Sequence, residues 1–327
     1  MRTTSIGGRM VTLEEIKSAS DRISPFIIKT PLEESQTISN ILGANTYLKM
    51  ELFQKTGSFK PRGAFNQILQ LDNDAKTKGV VAVSGGNFAQ GVAYAASKLG
   101  IQAIICMPEY TPSNYVEATK SYGARIELSP DFPSTFVKAE TFKADGYAFL
   151  HAWDNQNQMA GTGTIGLEIV DMLPSVTDIV ISIGGGGLIA GIMVAIKTLK
   201  PDVRIWGVET EGAQTMGKAL EAGEVVQITP NSLAKTLSAN YVAEDALKIA
   251  QQYLEQHIVV SDQEAVDDQR FLLERTKVLT ELAASCTLSA ARKIRHHFKK
   301  DDDVVLLLCG GNESLSNMIG YTKLRLA

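Results

Sequence analysis

Three times along this chain a short, unbroken apolar run ends in a glycine-rich turn, and this pattern restricts the fold more than any other feature. Val80-Val81-Ala82-Val83 leads into Ser84-Gly85-Gly86-Asn87, and Ile179-Val180-Ile181-Ser182-Ile183 leads into Gly184-Gly185-Gly186-Gly187. Val304-Val305-Leu306-Leu307-Leu308 leads into Cys309-Gly310-Gly311-Asn312. Runs of this kind, without polar alternation, read as buried strands. Helical patterning follows the first turn from Ala89 to Leu99, and follows the second from Leu188 onward. Between those turns the alternation continues, with strands expected at 102–106 and 125–128 and helices at 113–122 and 133–144. It restarts after Gly161 with strands ending at Ile183 and Glu209. Strands alternating with helices imply βαβ units and mostly parallel sheets, so the expected class is α/β with two lobes.

Composition narrows the function. The 327 residues allow two domains of ordinary size, and 44% hydrophobic with 21% charged residues is a globular composition. A net charge of −4 disfavours a nucleic-acid or anionic-membrane partner. The basic run from Arg292 to Lys300 meets Asp301-Asp302-Asp303 and reads as a solvated helix end that complements the dipole. The three cysteines, Cys106, Cys286 and Cys309, have no paired spacing, which fits a reducing compartment. No apolar core of signal-peptide length occupies residues 1–10, and no stretch approaches the ~20 apolar residues of a membrane span. The expectation is a cytoplasmic enzyme.

Successive glycines leave backbone N–H groups free to converge on an anion, and a helix start adds a favourable field, so Gly184 to Gly187 suit a phosphate. No Gly-Lys-Ser/Thr closes this turn and it sits mid-chain, which makes a nucleotide-binding reading the lesser one. Earlier, Thr56-Gly57-Ser58-Phe59-Lys60-Pro61-Arg62-Gly63-Ala64 presents a lysine at a helix start, with Ser58 as the expected N-cap and Pro61 in the first turn. The dipole and the apolar Phe59 disfavour an ammonium, which lowers the lysine pKa and makes Lys60 a candidate nucleophile toward aldehydes. An ordinary surface lysine in a first turn is the plainer alternative.

Taken in order, Ser-Phe-Lys-x-Arg-Gly-Ala, Ser-Gly-Gly-Asn, the four-glycine turn and Cys-Gly-Gly-Asn resemble the pyridoxal-phosphate enzymes of the tryptophan synthase β-like fold (fold type II). The resemblance is to the serine/threonine dehydratase and serine racemase branch and covers nearly the whole chain. It implies two open, twisted, mostly parallel sheets flanked by helices, with a large domain from 1–78 and 155–327 and a small inserted domain at 79–154. It also implies a homodimer with the cofactor between the domains. The chain stops soon after Asn312, so an appended regulatory domain is not expected.

Carried over by position, the resemblance makes Lys60 the residue that holds the cofactor aldehyde and removes the α-proton. Gly184, Gly185, Gly186, Gly187 and the N–H of Leu188 would cradle the phosphate. Phe59 would pack on the ring, Asn87 would donate to its hydroxyl, and Cys309 would face the pyridine nitrogen. A thiol there cannot form the ion pair an aspartate gives, which favours β-elimination over transamination. Ser84, Gly85, Gly86, Asn87, Phe88 and Trp153 would surround the amino-acid substrate. Racemases of the branch carry serine where this chain has Gly85, so elimination is favoured over racemisation.

Several positions depart from the branch. Phe88 replaces a histidine, Trp153 replaces a phenylalanine, Thr236 stands where a glycine lies against the cofactor, and Glu281-Leu282-Ala283-Ala284-Ser285 replaces Glu-Pro-x-Gly. A family cation site would fall on Glu209, Ala213 and Thr215, and Thr215 lacks the carboxylate a divalent ion prefers, so at most a weak or monovalent site is expected. The expected reaction converts L-threonine or L-serine to a 2-oxo acid and ammonia. Alternatives are a dehydratase for β-phenylserine or 3-hydroxyaspartate, a serine racemase, or a non-catalytic ligand-binding protein on the same fold.

Overall fold

The computed structural model describes residues 10–323. The first nine residues, within the stretch expected to lack a targeting segment, lie outside that range. Ten strands form two sheets. The larger contains β1 (Leu32–Glu34), β2 (Asn45–Met50), β7 (Asp178–Ser182), β8 (Arg204–Thr210), β9 (Gln256–Val260) and β10 (Asp303–Leu308), in the order β1-β2-β10-β7-β8-β9. The smaller contains β3 (Val80–Val83), β4 (Ala103–Pro108), β5 (Arg125–Ser129) and β6 (Ala148–Leu150), in the order β5-β4-β3-β6. Every pairing is parallel except that of β1 with β2. This is the α/β architecture of two mostly parallel sheets expected from the apolar runs.

Period-two geometry explains why those runs lack polar residues. Along β3, Val80 and Ala82 join one apolar cluster while Val81 and Val83 join another on the opposite face. In β10 all six positions are buried, so both faces are covered. Helices Gln156–Met172 and Gly187–Leu199 pack closely against each other. A Cβ on Gly191 would lie 2.1 Å from the Met159 carbonyl oxygen, so that approach requires glycine.

Two boundaries differ from the sequence expectation. The helix after β3 begins at Asn87 rather than Ala89, which brings the polar turn residue into the first turn. The helix carrying Lys60 spans Lys60–Leu69 with Phe59 at the N-cap, not Ser58. Ser58 is extended (φ −162°, ψ 166°) and bridges to Gly310, and its buried hydroxyl has no partner. The bridge aligns the start of this helix with the end of β10. All three glycine turns therefore lie at carboxyl ends of parallel strands, where α/β sheets bind ligands.

Candidate active site

Lys60 occupies the junction of the two sheets. Its ammonium donates to the Ala152 carbonyl at 2.8 Å and lies 5.0 Å from the centre of the Phe59 ring and 5.4 Å from that of Phe88. Burial lowers its pKa to about 8, although Cys309 and Glu281 pull the other way. Desolvation, more than the helix field, therefore supplies free amine near neutral pH. Phe88 is 2% exposed and belongs to the small sheet's apolar cluster as well as to the floor under Lys60.

Beside Lys60 lies a hydrogen-bonded group drawn from four distant segments. Asn87 Nδ2 donates to both oxygens of Glu281 at 3.0 and 2.9 Å, and the Thr236 hydroxyl donates to Oε1 at 3.0 Å. Asn312 Nδ2 donates to Asn87 Oδ1 at 2.8 Å and to the Thr56 carbonyl at 2.7 Å. Thr56 is left-handed (φ 65°), uncommon for a threonine, and the Asn312 bond holds its carbonyl in place. Asn87 is thus already bonded on both ends of its amide. Burial raises the Glu281 carboxyl to about 7, against the lowering effect of Asn87 and Thr236. Cys309 Sγ lies 3.9 Å from Glu281 Oε1 and accepts from the Ser182 hydroxyl at 3.5 Å. Burial and then Glu281 push this thiol well up, so it stays protonated.

The four-glycine turn has the chemistry of an anion site. The N–H groups of Gly184, Gly185, Gly186, Gly187 and Leu188 find no protein partner among the described residues, and the helix Gly187–Leu199 begins there. Gly186 is left-handed (φ 88°), which lets successive N–H groups share a concave side. Trp153 packs its indole against Gly185, so it borders this turn as well as the cleft; its Nε1 is buried without a partner. His151 holds the Trp153 segment by accepting the N–H groups of Trp153 and Asp154 at Nδ1, at 3.3 and 2.9 Å. An amine of lowered pKa beside a cluster of unpaired donors fits a phosphorylated aldehyde, and a protonated thiol completes a neutral partner for its ring nitrogen.

The turn after β3 is a second anion site. The Ser84 hydroxyl accepts the Gly86 N–H at 3.2 Å, while the N–H groups of Gly85, Asn87 and Phe88 have no partner among the described residues. Thr236 stands over this turn, with its methyl carbon 3.9 Å from where a Cβ on Gly86 would be, and the following Leu237 backbone lies against Gly184. The short helix Lys235–Leu237 thus spans both turns.

Glu209 is engaged differently from a cation ligand. Its oxygens accept the N–H groups of Met216 and Gly217, each at 2.9 Å, and Oε2 lies 2.7 Å from His257 Nε2. Ala213 donates its N–H to the Thr210 carbonyl, and the Thr215 hydroxyl donates to the Ala239 carbonyl. Among the described residues no group of three or more His, Cys, Asp or Glu side chains is arranged to hold a metal.

Beneath the Lys60 helix, Arg62 is fully buried between two carboxylates. Its Nε and Nη2 donate to Glu51 at 2.8 Å, and Nη1 donates to Glu168 at 2.6 Å. Lys49 also reaches Glu168, and the Thr30 hydroxyl reaches Glu51. Sequence reasoning noted Arg62 only as part of a motif and gave Glu281 no role. Glu168 lies 106 positions from Arg62, and Asn87 and Thr236 lie 194 and 45 positions from Glu281, so no local periodicity signals such pairs.

The profile of the family described as pyridoxal-phosphate dependent enzyme matches residues 23–310. The chain is 38% identical over 284 residues to an L-threonine ammonia-lyase of Thermotoga maritima, covering 86% of this chain and 71% of that one. It is also 38% identical over 317 residues to the catabolic L-threonine dehydratase TdcB of Staphylococcus aureus, covering 95% and 92%. Among solved structures, maize serine racemase is similar with a TM-score of 0.91 at 30% identity, covering 97% of this chain and 98% of that chain.

Proposed function

This chain belongs to the pyridoxal-phosphate-dependent enzymes, and from that premise we propose that it is an ammonia-lyase acting on a β-hydroxy-α-amino acid. L-Threonine or L-serine is the substrate, and a 2-oxo acid and ammonia are the products. The observation that carries the reading is the lowered pKa of Lys60 beside a glycine turn with unpaired donors. Bound there, the cofactor supplies an aldehyde that takes up amines and a conjugated ring that stores the electrons released at the substrate α-carbon.

This chain's own groups do the rest. The N–H groups of Gly184 to Gly187 and Leu188 would hold the cofactor phosphate. The 84–87 turn would receive the substrate carboxylate, and Phe59 would pack on the ring. Lys60 Nζ, neutral in an appreciable fraction near pH 8, accepts the α-proton. Cys309 Sγ keeps its proton and so would offer the ring nitrogen no charge, which favours loss of the β-hydroxyl, leaving as water with the proton that Lys60 took from the α-carbon. The enamine released tautomerises and takes up water to give the oxo acid and ammonia, so the water lost in elimination is regained. Phe88 and Trp153 make the pocket wall apolar.

Racemisation is the second reading, favoured by the similarity to maize serine racemase. Gly85 speaks against it, because glycine has no acid or base side chain where racemases of the branch carry serine. The deciding experiment reduces the purified, cofactor-loaded protein with borohydride, maps the label, and follows oxo acid and D-amino acid from L-serine and L-threonine. Label on Lys60 with oxo acid formed faster than D-amino acid is expected. A label elsewhere, or no product from these substrates, β-phenylserine or 3-hydroxyaspartate, would sink the reading.

A further inference from the structure

Gly85 leaves a gap in the wall of the substrate turn, and a residue from the turn after the neighbouring strand fills it. β4 runs parallel to β3 and ends at Pro108. Beyond it the chain turns back, with the Thr111 N–H donating to the Pro108 carbonyl at 3.0 Å and the Glu109 N–H donating to the Ser129 carbonyl at 2.8 Å. Pro112 then leads into the helix Ser113–Ser121, which limits the freedom of the turn. The result places Thr111 directly against Gly85. A Cβ built on Gly85 would lie 2.8 Å from Thr111 Oγ1 and 3.4 Å from its methyl carbon.

Thr111 therefore occupies the volume that a side chain at position 85 would need. It is half-buried, and its hydroxyl has no hydrogen-bond partner among the described residues. Nearby, the N–H groups of Gly85, Asn87 and Phe88 are likewise free, and Ser84 Oγ, which accepts from the Gly86 N–H, keeps its own proton to donate. A ring of unpaired N–H donors with the Ser84 and Thr111 hydroxyls at its edge is the arrangement that recognises a carboxylate.

We propose that Thr111 is a substrate-binding residue whose hydroxyl donates to the carboxylate of the amino acid held on the 84–87 turn, supplying from the turn after β4 the polar group that position 85 lacks. The proposal rests on the reading of that turn as the carboxylate site. A neutral hydroxyl donating to a charged oxygen is worth about tenfold in affinity or somewhat more.

The test uses the cofactor-loaded protein and its visible absorption. L-Alanine has no β-leaving group, and ethylamine is the same molecule without its carboxylate, so titrating both isolates the carboxylate's share of binding. Thr111→Val removes the hydroxyl and keeps the shape. It is expected to weaken L-alanine about tenfold and to change ethylamine less than twofold, while Thr111→Ser stays within twofold of the parent for both. Thr111→Ala gives the same contrast if valine disturbs the turn. Unchanged L-alanine binding in Thr111→Val, or equal weakening of both ligands, overturns the proposal and leaves the lyase reading standing. A parent protein whose spectrum does not respond to L-alanine refutes the site reading, and with it this one.

Discussion

Replacing Lys60 by methionine is expected to stabilise the cofactor-free protein. In the unfolded chain this amine has its ordinary pKa of 10.5, and burial lowers it to about 8 in the folded state. Between those values the unfolded chain holds a proton that the folded protein has released. Stability therefore falls as pH drops through that window, and the cost is complete below about pH 8. At about 1.4 kcal/mol per pH unit, the cost near neutrality is roughly 3 kcal/mol. Methionine has a similar shape and no charge, but it leaves the Ala152 carbonyl without its 2.8 Å donor, which offsets about 1 kcal/mol. The net gain is roughly 2 kcal/mol, large against the ~5–15 kcal/mol of a typical domain. Urea unfolding of both cofactor-free proteins at pH 7 and again above pH 10.5 measures it. The variant should be the more stable at pH 7 and should lose its advantage at the higher pH. A Lys60→Met protein no more stable at pH 7, or an advantage independent of pH, would refute the claim that the active-site amine is held against its own solvation.

Two further outcomes follow from the ion pairs. Arg62→Met strands Glu51 and Glu168 in the interior, and removing one partner of a buried set costs about 3–5 kcal/mol, so its urea midpoint should fall sharply. A loss below about 1 kcal/mol would show that water or rearrangement compensates those carboxylates. Dialysis against a chelator should leave both oxo-acid release and the melting temperature unchanged, because the Glu209 oxygens are already taken by Met216, Gly217 and His257. A fall in melting temperature restored by magnesium would overturn that assignment.

The strands and turns were legible because their signals are local. Val80–Val83 and Asp303–Leu308 are buried on both faces, which excludes polar alternation from any such segment. The turn residues announced themselves because glycine is uncommon after an apolar run unless the backbone must approach something. Thr236 was visible only as a departure from a resemblance and Glu281 only as the retained glutamate of an altered stretch, since their meeting with Asn87 is set by how three separate segments converge. Thr111 gave no signal at all, because only the pairing of β4 with β3 brings it to Gly85. The misplaced cap at Ser58 has a related cause. Its backbone is drawn into a bridge with Gly310, and that long-range contact overrides the local capping preference.

The place of β10 in the larger sheet has a consequence for biosynthesis. It lies between β2 and β7, pairing residues 303–308 with 45–50 and 304–306 with 178–180, yet it is the last strand among the described residues. A ribosome therefore emits most of the larger sheet before its central member exists, and β2 waits with an unpaired edge while some 250 residues are added. The smaller sheet closes within 80–150 and can fold as it emerges. Nascent chains arrested before residue 303 should consequently expose sticky strand edges and depend on chaperones to stay out of aggregates.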